Sequence, residues 1–269
     1  MGYCRDKWPF LNSVEYEYKF IGKYGAKGEK RGKRAKPTPE QIKKQNQRNR
    51  ENRVRRLTKE NFDPGDLWMT LKYPAGTRKT LEEVNGDFKL WRSAMNRVFK
   101  RYGQPFKYIY RMEIGKRGGI HIHILINRLR DVPDTDMIAQ SKWKHGRINF
   151  VSIHEAGGYK DLAAYIVKEP TREIEGQLSL FPEEERKKLC SYNTSRNLVH
   201  PEPERKVYSQ RTVRKLVEQV MKTGQPIPTE GYYIDRDSIR CGVNPYTGMS
   251  YLHYTECRIK ELRHREEGG

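Results

Sequence analysis

Apolar residues follow two different periods along the central part of the chain. A period of two is typical of strands, and strands are predicted at residues 67–73, 108–113, 120–126 and 147–153. A period of three to four is typical of amphipathic helices, and helices are predicted at about residues 80–102, 134–142 and 159–169. This order of elements predicts an α+β fold in which an antiparallel sheet has helices packed on one face.

Two histidines interrupt the apolar residues of the strand at 120–126, namely His121 and His123. Successive side chains of a strand point to opposite faces, so both imidazoles should lie on the same face. They would be about 7 Å apart along the strand and could reach a common metal ion. The alternative is a pair of strand histidines that simply faces solvent.

Glu113 joins this pair only if the turn between the two strands has a suitable length. A three-residue turn at 117–119 would place Glu113 opposite His123 and on the same face, whereas a two-residue turn would direct it away. The two adjacent glycines favour the longer turn, which needs a residue with positive φ. Two histidines and one carboxylate suit Mg²⁺, Mn²⁺, Fe²⁺ or Zn²⁺ and leave coordination positions open.

The helix at 159–169 brings Tyr165, Lys168 and Asp161 within a narrow arc. Tyr159 projects with the apolar residues and is expected in the core. A tyrosine hydroxyl, with an ordinary pKa of about 10, is a poor nucleophile alone. It can attack a phosphodiester when a divalent cation polarises the phosphate, and Lys168 would ease formation of the phenolate or hold the phosphate. Asp161 is a further ligand or orients Lys168, and the alternative for the pair is a buried tyrosine beside a lysine that extends to solvent.

The overall charge indicates the class of partner. The formal net charge is +20, which favours nucleic acid, ahead of an anionic membrane surface. The 269 residues allow one large or two modest domains. The sequence contains no apolar run of membrane-spanning length and no secretory signal pattern, so we expect a cytoplasmic protein without a membrane partner. The four cysteines are widely spaced and are expected to be reduced, and the lack of a GxxxxGK[ST] loop assigns any ATP-driven unwinding to another protein.

Much of this charge lies in an N-terminal arm. Residues 27–59 contain fourteen Lys and Arg against three Glu. Thr38 and Pro39 predict the start of a helix that runs to about residue 57. Such an arm would hold DNA phosphates without reading bases, although a solvated helix face has the same composition. The candidate DNA-binding residues are Lys43, Lys44, Arg48, Arg50, Arg53, Arg55, Arg56 and Lys72.

Taken together, these segments resemble the rolling-circle replication initiators, the HUH (His-hydrophobic-His) endonucleases of phages, plasmids and small circular single-stranded DNA elements. Residues 68–73 are similar to the first motif of that family and residues 121–123 to the second. Glu113 stands where such proteins often carry a third metal ligand. Residues 165–169 are similar to the Tyr-x-x-Lys-Asp/Glu nucleophile motif, and all three motifs occur in the family's order over about residues 66–170.

The resemblance implies metal-dependent nicking and joining of single-stranded origin DNA in a bacterial host cell. Glu113, His121 and His123 would hold Mn²⁺ or Mg²⁺. Tyr165 would attack and retain the 5′ end as a phosphotyrosyl link, with Lys168 assisting. The free 3′ end would prime replication, with the host helicase and polymerase supplied in trans.

The order and identity of the motif residues distinguish related classes. Conjugative relaxases place the tyrosine before the histidines, whereas here it follows them. Single-tyrosine transposases share this order but typically carry Gln where Lys168 stands. Tyr159 and Tyr165 are six residues apart, not four as in enzymes with two nucleophilic tyrosines, which favours the single-tyrosine type. The alternatives are a transposase or mobilisation enzyme with the same chemistry, or a non-catalytic nucleic-acid-binding protein.

Composition divides the chain into four expected regions. They are a basic arm with a helix at 1–62, the endonuclease domain at 63–170, a linker at 171–206, and a small C-terminal region at 207–269. The C-terminal region is predicted to contain a helix at about 209–222 and a hairpin of strands at 232–239 and 250–259.

The expected linker contains a short apolar segment within polar surroundings. Its sequence, Gln-Leu-Ser-Leu-Phe, resembles the pentapeptide by which bacterial polymerases and repair factors bind the sliding clamp. An extended peptide would then dock in a groove of the clamp. The residues concerned are Gln177, Leu178, Leu180 and Phe181. The alternative is that Leu180 and Phe181 pack on the protein's own surface.

Overall fold

The structure is a computed structural model that describes residues 2–22, 37–132, 134–153, 159–244 and 248–259. The described residues form ten strands and seven helices. They divide into two compact units, one formed by Met1–Lys44 with Pro201–Gly269 and the other by Gln45–His200. Each unit contains one five-stranded antiparallel sheet.

The sheet of the Gln45–His200 unit has the strand order β6-β3-β5-β4-β7. Its strands are β3 (Leu67–Leu71), β4 (Tyr108–Ile114), β5 (Ile120–Ile126), β6 (Ile148–Ser152) and β7 (Tyr192–Thr194). All neighbouring strands are antiparallel. The first four were predicted from alternating apolar residues, and the predicted α+β class with an antiparallel sheet is confirmed.

Six helices accompany this sheet along the chain. They are α1 (Pro39–Asn61), α2 (Leu81–Arg101), α3 (Thr135–Lys142), α4 (Lys160–Ile166), α5 (Arg172–Leu178) and α6 (Glu183–Leu189). The helix start predicted at Thr38 is confirmed, because the Thr38 hydroxyl accepts from the Gln41 amide while the Gln41 side chain accepts from the Thr38 amide. The first six residues of α1 belong to the other compact unit.

Helix α2 covers one face of the sheet. Its buried residues recur at three and four positions, and the largest are Phe88, Trp91 and Phe99. They pack with α3 against the isoleucines of β5, which are almost fully buried. Thr80 and Glu83 form a capping box that starts the helix. These residues form the first hydrophobic core of this unit.

The opposite face of the same sheet is covered only in part. The C-terminal half of α1 and helix α4 pack there against Ile109, Leu125 and Trp68. Beyond this second cluster lie the polar strand residues of the face, which include both histidines. The prediction placed the helices on one face, and the structure adds that α1 and α4 occupy the other.

The second sheet belongs to the unit formed by the two chain ends. Its order is β8-β1-β2-β10-β9, and its strands are β1 (Tyr3–Pro9), β2 (Ser13–Phe20), β8 (Glu204–Tyr208), β9 (Tyr232–Val243) and β10 (Ser250–Arg258). Helix α7 (Gln210–Thr223) buries a stripe of valines against it. The predicted helix and hairpin of the C-terminal region are confirmed. Part of the turn between β9 and β10 lies outside the described residues.

Strands β1 and β2 were not predicted, since residues 1–62 were expected to form a basic arm with a helix. The aromatic residues of β2 do alternate, because Tyr16, Tyr18 and Phe20 all face α7. The rings of Tyr16 and Tyr254 stack with centroids 4.8 Å apart. β1 and β2 pair with each other as a hairpin, but their outer partners, β8 and β10, come from the other end of the chain.

The expected linker at 171–206 is wrong as a description of that segment. It contains α5, α6 and β7, and Leu178 and Leu189 are buried against the first core. The predicted exposed Leu-Phe pair is wrong in part. Leu180 is 78% exposed, but Phe181 packs on the core because a turn brings its amide to the carbonyl of Leu178.

Among the described helices, none is long and apolar enough to cross a membrane.

Candidate active site

The β4–β5 hairpin places a carboxylate beside the two histidines. Glu113 lies directly opposite His121, and Arg111 lies opposite His123. The predicted pairing of Glu113 with His123 is therefore wrong by two residues. Glu113 nevertheless faces the histidines, because a shift of two residues preserves the face to which a side chain points.

The turn explains the shift. Gly115 and Gly119 pair through a backbone hydrogen bond, so the three turn residues are 116–118 and not 117–119. Gly118 supplies the positive φ, at +77°, as the last residue of the turn. The predicted turn length was correct, but the turn was placed one position too late.

Glu113, His121 and His123 form a candidate metal site. Each offers one ligand atom, and these three atoms lie within 4.8 Å of one another; among the described residues they are the one group of this kind. Glu113 and His123 are buried, whereas His121 is half-buried. These three residues would hold a divalent ion, and a set of three protein ligands leaves coordination positions for a substrate.

Tyr165, on α4, reaches into this group. Its hydroxyl lies 2.9 Å from His123 Nε2 and donates to Glu113 Oε2 at 3.2 Å. The ring meets His123 edge-on, with centroids 5.0 Å apart. The structure therefore brings the predicted nucleophile to the predicted ligands, although 42 residues separate Tyr165 from His123.

Lys168 lies at the same place, although α4 ends at Ile166. Its ammonium group is 2.7 Å from Glu113 Oε1 and lies over the ring of Tyr165, 4.0 Å from the ring centroid. Asp161 is exposed one turn earlier on α4 and is not one of the three grouped ligands. Tyr159 is buried in the second hydrophobic cluster, as predicted.

The electrostatics keep Glu113 and His121 ready to bind a cation. Burial alone would raise the pKa of Glu113, but hydrogen bonds with His123 and Lys168 outweigh it and lower the pKa to about 2. Burial, followed by the neighbouring His123, lowers the pKa of His121 to about 4. Burial, followed by the charge of Glu113, raises the pKa of the Tyr165 phenol above its ordinary value. At neutral pH the carboxylate is thus ionised, and the phenol is neutral.

Two residues of β3 hold His123 in place. Thr70 pairs with His123 across the strands, and its hydroxyl lies 3.1 Å from His123 Nδ1. The indole of Trp68 stacks on the imidazole, with centroids 5.7 Å apart and an angle of 10°. A ring proton on Nε2 is donated to Glu113, whereas a ring proton on Nδ1 is donated to Thr70 and leaves the Nε2 lone pair for a cation. The first sequence motif contains both residues, but sequence reasoning did not assign them these roles.

Arg111 is a further site residue that sequence reasoning missed. It is buried, and its Nη1 donates to the backbone carbonyls of Tyr165, Ile166 and Lys168 at 3.1–3.2 Å. Gln47 of α1 donates to the remaining carbonyl of this turn, that of Val167, at 3.1 Å. The last carbonyls of a helix otherwise have no partner within the helix. The sequence did contain a signal for this role, because Arg111 lies two residues before Glu113 and so points to the same face of the strand.

The candidate DNA-binding residues differ in exposure. Lys43, Lys44, Arg48, Arg50, Arg53 and Lys72 are exposed, whereas Arg55 and Arg56 are half-buried in the part of α1 that packs on the sheet. Residues 27–36, the first part of the segment that carries the charge surplus, lie outside the described residues.

Comparison with known families finds a match over the region of the candidate site. Residues 66–170 match the model of the replication-associated protein ORF2/G2P family. The match covers β3 to α4 and so includes every residue of the candidate site from Trp68 to Lys168. This similarity supports a role in DNA replication. No curated protein and no solved structure matches the chain.

Proposed function

We propose that this protein initiates replication by nicking and rejoining single-stranded DNA through a phosphotyrosyl intermediate. The observation that supports this most directly is the position of the Tyr165 hydroxyl, 2.9 Å from His123 Nε2 and 3.2 Å from Glu113. A phosphodiester bound at the three ligands would place its phosphorus next to that oxygen. The family match supports the replication role, and the single-tyrosine mechanism is the proposed step.

The ligand set fits a divalent cation, because a carboxylate and two imidazoles converge within coordination reach. When bound, such an ion supplies Lewis-acid polarisation of the phosphate. The residues around it have their own tasks. Lys168 offsets the charge of Glu113, which otherwise disfavours the phenolate. Arg111 holds the turn that carries Tyr165.

In the proposed step, the Tyr165 oxygen forms a bond to phosphorus while the bond from phosphorus to the 3′ oxygen breaks. The phenolic proton leaves, and the departing 3′ oxygen takes up one proton. The number of phosphodiester bonds is conserved, so no external energy source is needed and the reverse reaction rejoins the strand. The free 3′ hydroxyl is the primer for synthesis.

The test is covalent capture. The protein is incubated with Mn²⁺ and a pool of single-stranded oligonucleotides of random sequence, and a denaturing gel then separates protein–DNA adducts. We expect an adduct whose peptide maps to Tyr165 and which disappears in Tyr165→Phe. Tyr159→Phe is the matched control, because it removes the other hydroxyl of the segment and should leave the adduct intact.

An adduct that persists in Tyr165→Phe, or one that maps to Tyr159, would contradict the proposal. DNA retention without any adduct would instead favour a non-catalytic nucleic-acid-binding protein. A transposase or mobilisation enzyme would form the same adduct. It would be recognised by joining of the captured strand to a second DNA molecule, without extension from the nicked end by an added polymerase.

We further propose that the end of α5 contacts a sliding clamp, for which the exposed Leu180 is the supporting observation. Because Leu178 and Phe181 pack on the protein's own core, binding would require this turn to open. Leu180→Ala should weaken clamp binding without changing adduct formation. Loss of adduct formation in this variant would instead indicate that the residue is needed for the fold.

A further inference from the structure

A basic cleft lies beside the candidate site, between the end of β3 and the loop that leads into β6. Its volume is about 890 Å³, and the polar and aromatic residues that line it include Lys72, Tyr73, Lys79, Lys144, His145 and Arg147. None of its lining residues is acidic. The cleft therefore offers a concentration of positive charge that the proposed chemistry does not use.

An aspartate beneath the cleft divides these cations into two groups. Asp87, on α2, pairs with Lys79 and lies 3.4 Å from His145 Nε2. It also accepts a hydrogen bond from the Tyr73 hydroxyl at 2.9 Å. Lys79, His145 and Tyr73 therefore interact with Asp87 at the bottom of the cleft. The other three cations, Lys72, Lys144 and Arg147, are exposed at its rim.

Hydrogen bonds and close packing join the two walls of the cleft. The Lys72 amide donates to the Arg147 carbonyl at 3.0 Å, and the Gln140 side chain donates to the Gly146 carbonyl at 3.1 Å. Gly146 has φ +150°, and a Cβ there would lie 2.2 Å from the Lys72 carbonyl oxygen. The backbone segments that carry Lys72, Lys144 and Arg147 are therefore held together at the cleft.

The cleft also lies close to the candidate metal ligand His123. β3 ends at Leu71, and Lys72 follows it directly, two residues beyond Thr70 and so about 7 Å away along an extended chain. Thr70 in turn contacts His123. This step is similar to the separation of successive phosphates in an extended strand, so a strand bound at the candidate site could continue into the cleft.

We propose that this cleft binds the phosphates of the DNA strand that flank the scissile phosphate. The ligand is a single-stranded polynucleotide, held through its backbone by Lys72, Lys144 and Arg147. The rings of Tyr73 and His145 lie 6.1 Å apart on the floor and provide an apolar surface for a base. This inference rests on the proposed function for the position of the scissile phosphate, but its test measures binding without the covalent step.

The test compares two variants that lose the same charge. The cleft variant combines Lys72→Gln, Lys144→Gln and Arg147→Gln. The control variant combines Lys89→Gln, Arg97→Gln and Lys100→Gln, three exposed positions on α2, which covers the other face of the sheet. Fluorescence anisotropy with a labelled twenty-residue oligothymidine, in the absence of divalent metal, gives the affinity at several salt concentrations.

We expect the cleft variant to lose affinity by about 100-fold at roughly 0.1 M salt, since each phosphate contact on single strands contributes about 0.7 to the salt slope. The slope of log K against log salt should fall by about 2, whereas the control variant should change affinity by less than about threefold. Equal losses in both variants, or none in the cleft variant, would overturn the inference.

A second readout separates this inference from the proposed function. Where the adduct forms, the cleft variant should raise the DNA concentration for half-maximal rate while the rate at saturation stays within about twofold, because the three cations do not touch the reacting atoms. A large loss at saturation would overturn the flanking role. If no adduct forms with any strand, the proposed function fails, and the anisotropy result still decides whether the cleft binds DNA.

Discussion

Replacement of Arg111, on β4, tests most directly whether this side chain holds α4, the helix that carries Tyr165, in place. The variant is Arg111→Met, which keeps much of the length and apolar volume of the side chain but removes every donor. In the native protein, Nη1 donates to the carbonyls of Tyr165, Ile166 and Lys168. All three belong to the last turn of α4 or directly follow it.

The expected magnitude follows from this geometry. One guanidinium nitrogen carries two protons, so the three contacts amount to about two full hydrogen bonds from a charged donor, each of roughly 1.5–3 kcal/mol. If α4 stayed in place, its buried carbonyls would lose that amount. A helix of seven residues is marginal alone, so the cheaper response is that its last turn detaches and becomes hydrated. We therefore expect the free energy of unfolding to fall by about 2–3 kcal/mol.

Detachment of this turn would remove the Tyr165 hydroxyl from His123. A penalty of 1.4 kcal/mol for reaching the reactive geometry corresponds to a tenfold slower rate, so we expect adduct formation to slow by about 10- to 100-fold. Urea unfolding followed by tryptophan fluorescence gives the stability. The rate of adduct formation is then measured in buffer without urea, at a temperature where both proteins are folded.

Arg92→Met is the matched control. Arg92 is also half-enclosed by the sheet, stacks on Phe88 and Tyr110, and donates to the Tyr108 hydroxyl, but it does so on the opposite face. This variant should lose stability without a comparable loss of rate in the folded protein. The reasoning about Arg111 would be refuted if Arg111→Met formed adduct at the normal rate, or if both variants slowed it equally.

Three further predictions concern other parts of the structure. Gly146→Ala should destabilise the protein by about 2–3 kcal/mol in urea unfolding, because its Cβ would overlap the Lys72 carbonyl, whereas Gly86→Ala, in open space on α2, should stabilise it by about 0.5–1 kcal/mol. Hydrogen bonds from an arginine on β8 and a lysine on β2 hold the pKa of Asp6 at about 2. This stabilisation, of roughly 2 kcal/mol, is present above about pH 4 and is lost as the pH falls toward 2, so Asp6→Asn should flatten the stability profile in that window. Thr70→Val should weaken Mn²⁺ binding about tenfold in calorimetric titration, because Thr70 orients a ligand histidine.

Each of these has an outcome that would count against it. Equal stability of the two glycine variants would mean that the loop next to Lys72 can move. A stability profile of Asp6→Asn that still falls between pH 4 and 2 would assign the acid sensitivity to other carboxylates. Unchanged Mn²⁺ affinity in Thr70→Val would show that His123 is held by the stacked Trp68 alone.

Periodicity along the chain was sufficient to predict most elements of the Gln45–His200 unit. The strands from β3 to β6 and the helices from α2 to α4 follow from apolar spacing, because each element buries one face and its sequence shows that face directly. The same reasoning placed His121 and His123 together. It failed for β1 and β2, which pair with each other but whose outer partners lie near the other end of the chain. It also failed for the 171–206 segment, whose few apolar residues pack one helical turn at a time.

The chemical character of the site was set by sequence, since Glu113, His121 and Tyr165 are the residue types that such chemistry needs. Their arrangement depended on tertiary structure. The position of Gly118 in its turn decided the strand register, and burial of Arg111 beneath α4 decided where the tyrosine would lie. Local sequence specifies which way a side chain points from its own element, but the distance between elements depends on long-range packing and on backbone groups that must find a partner once they are buried.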